Sequence, residues 1–267
     1  METLGEFHCE GSQTGAVIRE KLKEALLEVG YSTDWNICAT TDNAKNVASA
    51  RAHGRHSEVR LLVVYDGGCA DHIINLIIED AFGDSELRPL KEAVEKVFEL
   101  IKYFKQSSVA LQALFEAEKD VGLNTITPVQ GTSNRWFHKR DAAKVMVSIR
   151  PAIDLWWTTY DAPLYLEELS QEEWGMIEAY VDATEIFLDV STKLAGEEYC
   201  TASSVIPCLD EISVKLKELE RTSPPGVKKK LAKTLYKFLV SDNPKRFKHD
   251  LYKTTAPYNF LTALDPR

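Results

Sequence analysis

Asp42 is the residue whose type and setting most invite chemistry. It closes the short apolar run of "WNICATTDNAKN", residues 35–46, and Asn43 behind it is a good N-cap for a following helix. A carboxylate between a strand's C-terminal end and a helix N-terminus faces the crevice where α/β proteins bind ligands. Its hard oxygens suit Mg²⁺, but two-metal phosphoryl transfer gathers several carboxylates, which one aspartate cannot replace. On the residues alone, a structural turn or cap is the first reading of Asp42 and a metal ligand the second. Cys69 and His72, in "GCADHIIN", fall about one helical turn apart and supply half of a tetrahedral zinc site. No other His or Cys shows paired finger spacing, so a packing role is favoured for the two. Arg135 and Trp136, in "GTSNRWFHKR", follow a polar loop, and Lys139 and Arg140 come directly after. Such a cluster can hold an unpaired base by stacking and phosphate contact. The competing reading has Trp136 anchoring the loop onto a helical core, and chemistry alone favours it.

Two basic runs stand near the C-terminus, "KKKLAKTLYK" at 228–237 and "NPKRFKHDLYK" at 243–253. The first is amphipathic, with Val227, Leu231, Leu235 and Phe238 expected inward and the lysines outward. Runs of this kind are usually solvated faces, with a local phosphate or partner contact as the other reading. In "EELSQEEW", Ser170 is the expected N-cap and Glu173 completes a capping box. No Ser-His-Asp arrangement, P-loop or Rossmann glycine pattern is present.

The elements that must position these residues follow from periodicity. Ile18, Leu22, Leu26 and Val29 form one helical stripe, stopped by Gly30. Strands are expected at 35–40 and at 60–65, the second ended by Asp66-Gly67-Gly68. Helix, strand, helix, strand is the order of an α/β layer, although two strands are too few for a complete sheet. Everything after Gly68 reads helical. "HIINLIIEDAF" is apolar almost all round, and Leu87, Leu90, Val94, Val97, Ile101 and Phe104 recur at helical spacing over 86–104. Further helices are expected near 109–117, 138–158, 172–194, 202–220 and 226–241, with a loop at 121–134. The fold class is therefore α/β going to mainly α, with the division expected between 1–68 and 69–267.

The chain has 267 residues, 44% hydrophobic and 27% charged, in the ordinary range for a globular protein with a sizeable core. A net charge of −9 argues against a broad nucleic-acid surface while leaving room for a small basic face. Five cysteines without framework spacing fit a reducing compartment, so the nucleus or otherwise the cytoplasm is expected. No apolar run approaches the ~20 residues that span a bilayer, and no membrane role is expected.

In order along the chain, several of these stretches resemble one family, the hAT superfamily of cut-and-paste DNA transposases with its BED zinc-finger relatives. "TTDNAKN" resembles its strand-to-helix segment, and "CADHIINLIIEDA" is similar to its cysteine–histidine helix. "NRWFHKRDAAKV" resembles the Thr-Arg-Trp-Asn-Ser element. "EEWGMIEAYVDATEIFLDVSTKLAGEEYC" continued by "TASSVIPCLDEI" looks like the long helical section, and "LTALDPR" is close to the Leu-Asp-Pro-Arg signature. The resemblance implies a partial RNase H-like core, 1–68, followed by a large helical insertion, 69–267, that ends at the last motif. It implies that Asp42 is the second carboxylate of an Asp-Asp-Glu triad that binds Mg²⁺, that Cys69 and His72 lie near that site, and that Trp136 helps hold DNA.

The departures bear on function. Asn134 stands where Thr is usual, Phe137 and His138 replace Asn and Ser, and Ala195 and Cys200 replace the serine and proline of the later motif. The family's first aspartate and its glutamate have no counterpart in these residues, so the expected chain is truncated at both ends and Asp42 is vestigial. The expected function is that of a transposase-derived, non-catalytic nuclear protein. It would associate weakly with DNA through Arg135, Trp136, Lys139 and Arg140, or with a protein partner or a second copy, without a cofactor of its own. The alternatives are part of an active transposase that uses Mg²⁺, or a gene fragment without function.

Overall fold

The computed structural model describes residues 14–28, 30, 36–41, 62–68, 70–129, 136–195 and 202–240. They fall into two compact units. Among the described residues the first draws on those up to 73 and on the stretch 194–206, and the second is built from 74–193 and from 207–240. Compactness thus draws its line inside one helix, after Ile73.

The first unit holds α1 (Gly15–Glu28), β1 (Asn36–Thr41) and β2 (Leu62–Gly68). Gly30 ends α1 at φ +85°, with its N–H donating to Leu27 O at 3.0 Å, a conformation that only a residue without Cβ takes up readily. β1 and β2 pair in parallel, Asn36 opposite Leu62 and Thr41 opposite Gly68, with an irregularity between Ile37 and Ala39. Parallel pairing requires a crossover connection and is the pattern of an α/β layer. β2 runs three residues past the end expected at Tyr65, because Ala39, Thr40 and Thr41 supply partners for Asp66, Gly67 and Gly68. The turn signal of Asp-Gly-Gly yields here to the ladder.

α2 (Ala70–Phe82) follows β2 almost at once and carries Ile74, Ile77, Ile78 and Ala81 at 0–1% exposure. Beyond Ile73 the chain is helical: a 3₁₀ turn at Ser85–Leu87, then α3 (Arg88–Gln106), α4 (Ser108–Asp120), α5 (Trp136–Ser148), α6 (Arg150–Thr159), α7 (Gln171–Ala183), α8 (Glu185–Leu194), a 3₁₀ turn at Ala202–Ser204, α9 (Val205–Thr222) and α10 (Val227–Leu239). α7 is the centre of the second unit, packed by α3, α5 and α10. Its sequence explains why: Trp174, Met176, Ile177, Ala179, Tyr180, Val181 and Ala183 are all buried, so apolar residues point in nearly every direction. The Ser170–Glu173 capping box starts it, Glu173 N–H donating to Ser170 Oγ at 3.2 Å and Ser170 N–H to Glu173 Oε2 at 2.8 Å. The six-residue stripe read from Leu87 to Phe104 is buried throughout. Trp156 on α6 closes that layer, edge-on to Phe104 with ring centroids 5.1 Å apart.

Two helices expected to be continuous are broken. The 138–158 helix divides at Ile149, because Pro151 has no N–H to donate and its ring crowds the carbonyl four residues back. The 172–194 helix divides at Thr184, which is fully buried. Its hydroxyl donates to Tyr180 O at 2.6 Å and shares that carbonyl with its own N–H at 3.1 Å, a back-bond of the kind that bends helices.

Candidate nucleic-acid interface

The candidate interface begins in the loop before α5. Gly122, at φ +76°, ends α4, and its N–H donates to Lys119 O. Glu118, fully buried, then reaches forward, and its carboxylate accepts the Ile126 N–H at 3.1 Å (Oε2) and 3.3 Å (Oε1). Burial pushes this carboxyl above its ordinary range, against the lowering effect of the Ile126 hydrogen bond. The buried acid thereby fixes the course of the loop that leads towards α5.

α5 opens on Trp136. Of the residues expected at a DNA contact, Arg135 lies outside the described residues, as does the side chain of Trp136. Lys139 is half-exposed on α5 and has no ion pair among the described residues. Arg140 is the correction. Its side chain is 0% exposed, its Nη1 lies 3.1 Å from Asp141 Oδ1, and its Nη2 pairs with Glu185 Oε2 at the start of α8. A guanidinium enclosed in this way has no surface to present to a phosphate. It ties α5 across the α7–α8 break to the first turn of α8. Tyr180, beside it, is raised well above the ordinary tyrosine range by burial, against which the Arg140 charge acts to lower it. One signal could have placed Arg140 correctly. Ala143 and Met146, three and six residues on, are both buried at 0%, so helical period alone puts Arg140 on their inward face.

Asp42 and Cys69 lie outside the described residues, while His72 is half-buried in the first turn of α2. Among the described residues no three His, Cys, Asp or Glu side chains converge where a cation could be held. Among them too, no helix is long and apolar enough to cross a membrane.

The helical array from β2 through α7 has a counterpart among known families. Residues 67–183 match the family model of the ZBED1 RNase-like helical domain. That match supports a BED zinc-finger/hAT-derived family. No curated protein matches the chain. The matched span runs from the last strand residues through the buried helix α7. It includes Cys69, His72, Arg135, Trp136, Lys139 and Arg140, and excludes Asp42 and α10. The mainly helical character of the described residues agrees with such a domain.

Proposed function

We propose that this chain is a nuclear, transposase-derived protein that acts by non-covalent association, with DNA or with a protein partner, and does not itself cleave strands. The observation that carries the reading is the match of 67–183 to the helical domain, set among the hAT-like motifs that flank it in order. In this reading the two parallel strands are what these residues contribute to an RNase H-like core, and the helices from α2 onward form the insertion. Asp42 is the one carboxylate that the resemblance assigns to the family's triad. Two Mg²⁺ ions need more acidic oxygens than one side chain offers, so no reaction step is assigned to it. DNA contact at the α5 edge rests on Arg135, Trp136 and Lys139, with Arg140 holding the helix from inside.

The test is cleavage. Purified chain incubated with a labelled duplex or hairpin and Mg²⁺ or Mn²⁺ is expected to leave the DNA intact. Metal-dependent nicking that disappears in Asp42→Ala would overturn the proposal in favour of an active transposase module. The helical frame also speaks for a protein that folds. With Trp156, Trp174, Phe104 and Phe187 all below 2% exposure, a sharp cooperative melt is expected, which a functionless fragment has no reason to give.

A further inference from the structure

α10 concentrates positive charge in a protein that is acidic as a whole. Its thirteen residues, "VKKKLAKTLYKFL", carry five lysines and no acid, in a protein whose net charge is −9. The helix is held in place by its other faces. Leu231, Ala232, Leu235 and Leu239 are buried at 0–2%, and α10 packs on the central helix α7 and on the 85–87 turn. Ion pairs fix both ends, Lys228 Nζ to Asp182 Oδ2 at 3.0 Å and Lys237 Nζ to Asp84 Oδ2 at 2.9 Å. Along its length the exposed positions are Lys230, Lys233 and Lys237, at i, i+3 and i+7 on one face. Lys229 stands beside them, half-exposed. Lys229, Lys230 and Lys233 have no ion pair among the described residues. From α9, Lys217 reaches over the Tyr236 ring, 4.8 Å from its centroid, and adds another cation to this edge.

We infer that this lysine face of α10 is a docking surface for the phosphate backbone of duplex DNA, read by charge and not by base sequence. The inference adds a second surface, besides the α5 edge, to the proposed DNA association, and rests on that reading for its partner class. Two features favour a polyphosphate over an acidic protein. Within α10 every exposed position is a lysine, and the exposed Val240 lies past its end, whereas protein interfaces depend on a few buried aromatic or aliphatic anchors at their centre. Lys229, Lys230 and Lys233 gather three cations within about 6 Å of helix axis, a charge density suited to a duplex that carries one negative charge per ~1.7 Å of its own axis. The lysines already paired with Asp84 and Asp182 orient the helix, and the unpaired ones remain for phosphate.

The experiment measures the affinity of the full chain for a labelled blunt-ended 20-base-pair duplex as a function of salt. Release of counterions by about three lysines weakens binding about forty-fold between about 50 and 200 mM salt. The triple variant Lys229→Glu, Lys230→Glu, Lys233→Glu is expected to bind at least tenfold more weakly at low salt and to lose most of the salt slope. The corresponding glutamine set reads the same slope should the glutamate chain fold poorly. Wild-type affinity and slope in the variants, with binding lost instead in Lys139→Ala, would return the contact to α5 and sink the lysine face while DNA association survives. Absence of duplex binding at 50 mM salt would overturn the inference and leave only association with protein. Polyglutamate that binds as tightly as DNA would reassign the face to an acidic protein.

Discussion

Lys139-Arg140 on α5 and the lysines of α10 look alike in sequence, yet one contributes its arginine to the core and the other turns its charges to water. The difference is phase. Arg140 shares its face with Ala143 and Met146, so the helix that buries them carries the guanidinium in as well. On α10, Lys230, Lys233 and Lys237 fall out of phase with Leu231, Leu235 and Leu239, which take the inward positions. A cation's position relative to the apolar stripe therefore says more about its role than its membership of a basic run.

The largest effect in this comparison is expected inside α5. Arg140→Ala removes a large buried side chain and its link to α8, and a loss of about 2–4 kcal/mol in unfolding free energy is expected from the cavity and the broken pair. Arg140→Met fills most of the volume without charge. Because Asp141 and Glu185 are about half exposed, they can turn to water, and a loss below about 1.5 kcal/mol is expected. Denaturant melts of the two variants separate packing from charge. Equal losses would mean that the ion pair, not the filled volume, holds α5 to α8.

A smaller effect belongs to Lys96, which bridges Glu167 and Glu173, each at 2.8 Å, and so fastens α3 to the start of α7. Hydrogen bonds that it donates to Glu167 and then Glu173 hold the Lys96 ammonium above its ordinary value. Burial pushes Glu173 up, but the Lys96 and Ser170 donors prevail and keep it below the usual carboxylate range. A depressed carboxyl contributes stability above its unfolded pKa of about 4.3 and loses it as pH falls through the folded value. The raised ammonium contributes below its unfolded pKa of about 10.4 and loses it as pH rises through its own folded value. Glu173→Gln keeps the capping acceptor and removes the charge. It should cost under about 1 kcal/mol at pH 7 and flatten the acid limb of the melting-temperature curve. An unchanged acid limb would assign the pH response elsewhere.

The parts of this fold that could be read from the sequence are those set by local periodicity and caps. The stripe from Leu87 to Phe104 and the Ser170–Glu173 box were both legible, because each depends on residues within a turn or two of one another. The breaks at Ile149 and Thr184 were not. Pro151 sits where a helix also tolerates proline at its start, and a threonine hydroxyl gives no sign in a pattern of apolar spacing of the carbonyl it will take. β2 ran on through Gly67 and Gly68 because its partner strand, distant in sequence, supplied the pairing. At the candidate interface, residue type pointed to Arg140 as a phosphate ligand, while its tie to Glu185 depends on where α8 begins. Asp42, Cys69 and Arg135 remain sequence expectations, outside the described residues.

The smallest effect completes the comparison. Lys233→Glu reverses an exposed charge that has no ion pair among the described residues and packs against nothing that the core requires. Its unfolding free energy should stay within about 0.5 kcal/mol of the parent, against several times that for Arg140→Ala. The same substitution introduces an acid amid Lys229, Lys230 and Lys237, where it should relieve like-charge repulsion at spacings of three and four residues. A slight rise in melting temperature that fades with added salt is therefore the expected result, since exposed charges are screened within about 10 Å at 0.1 M ionic strength. That outcome would mean that the lysine face is kept despite a small cost to folding. A loss of more than 1 kcal/mol would instead make Lys233 a structural residue like Arg140, and the contrast between the two helices would disappear.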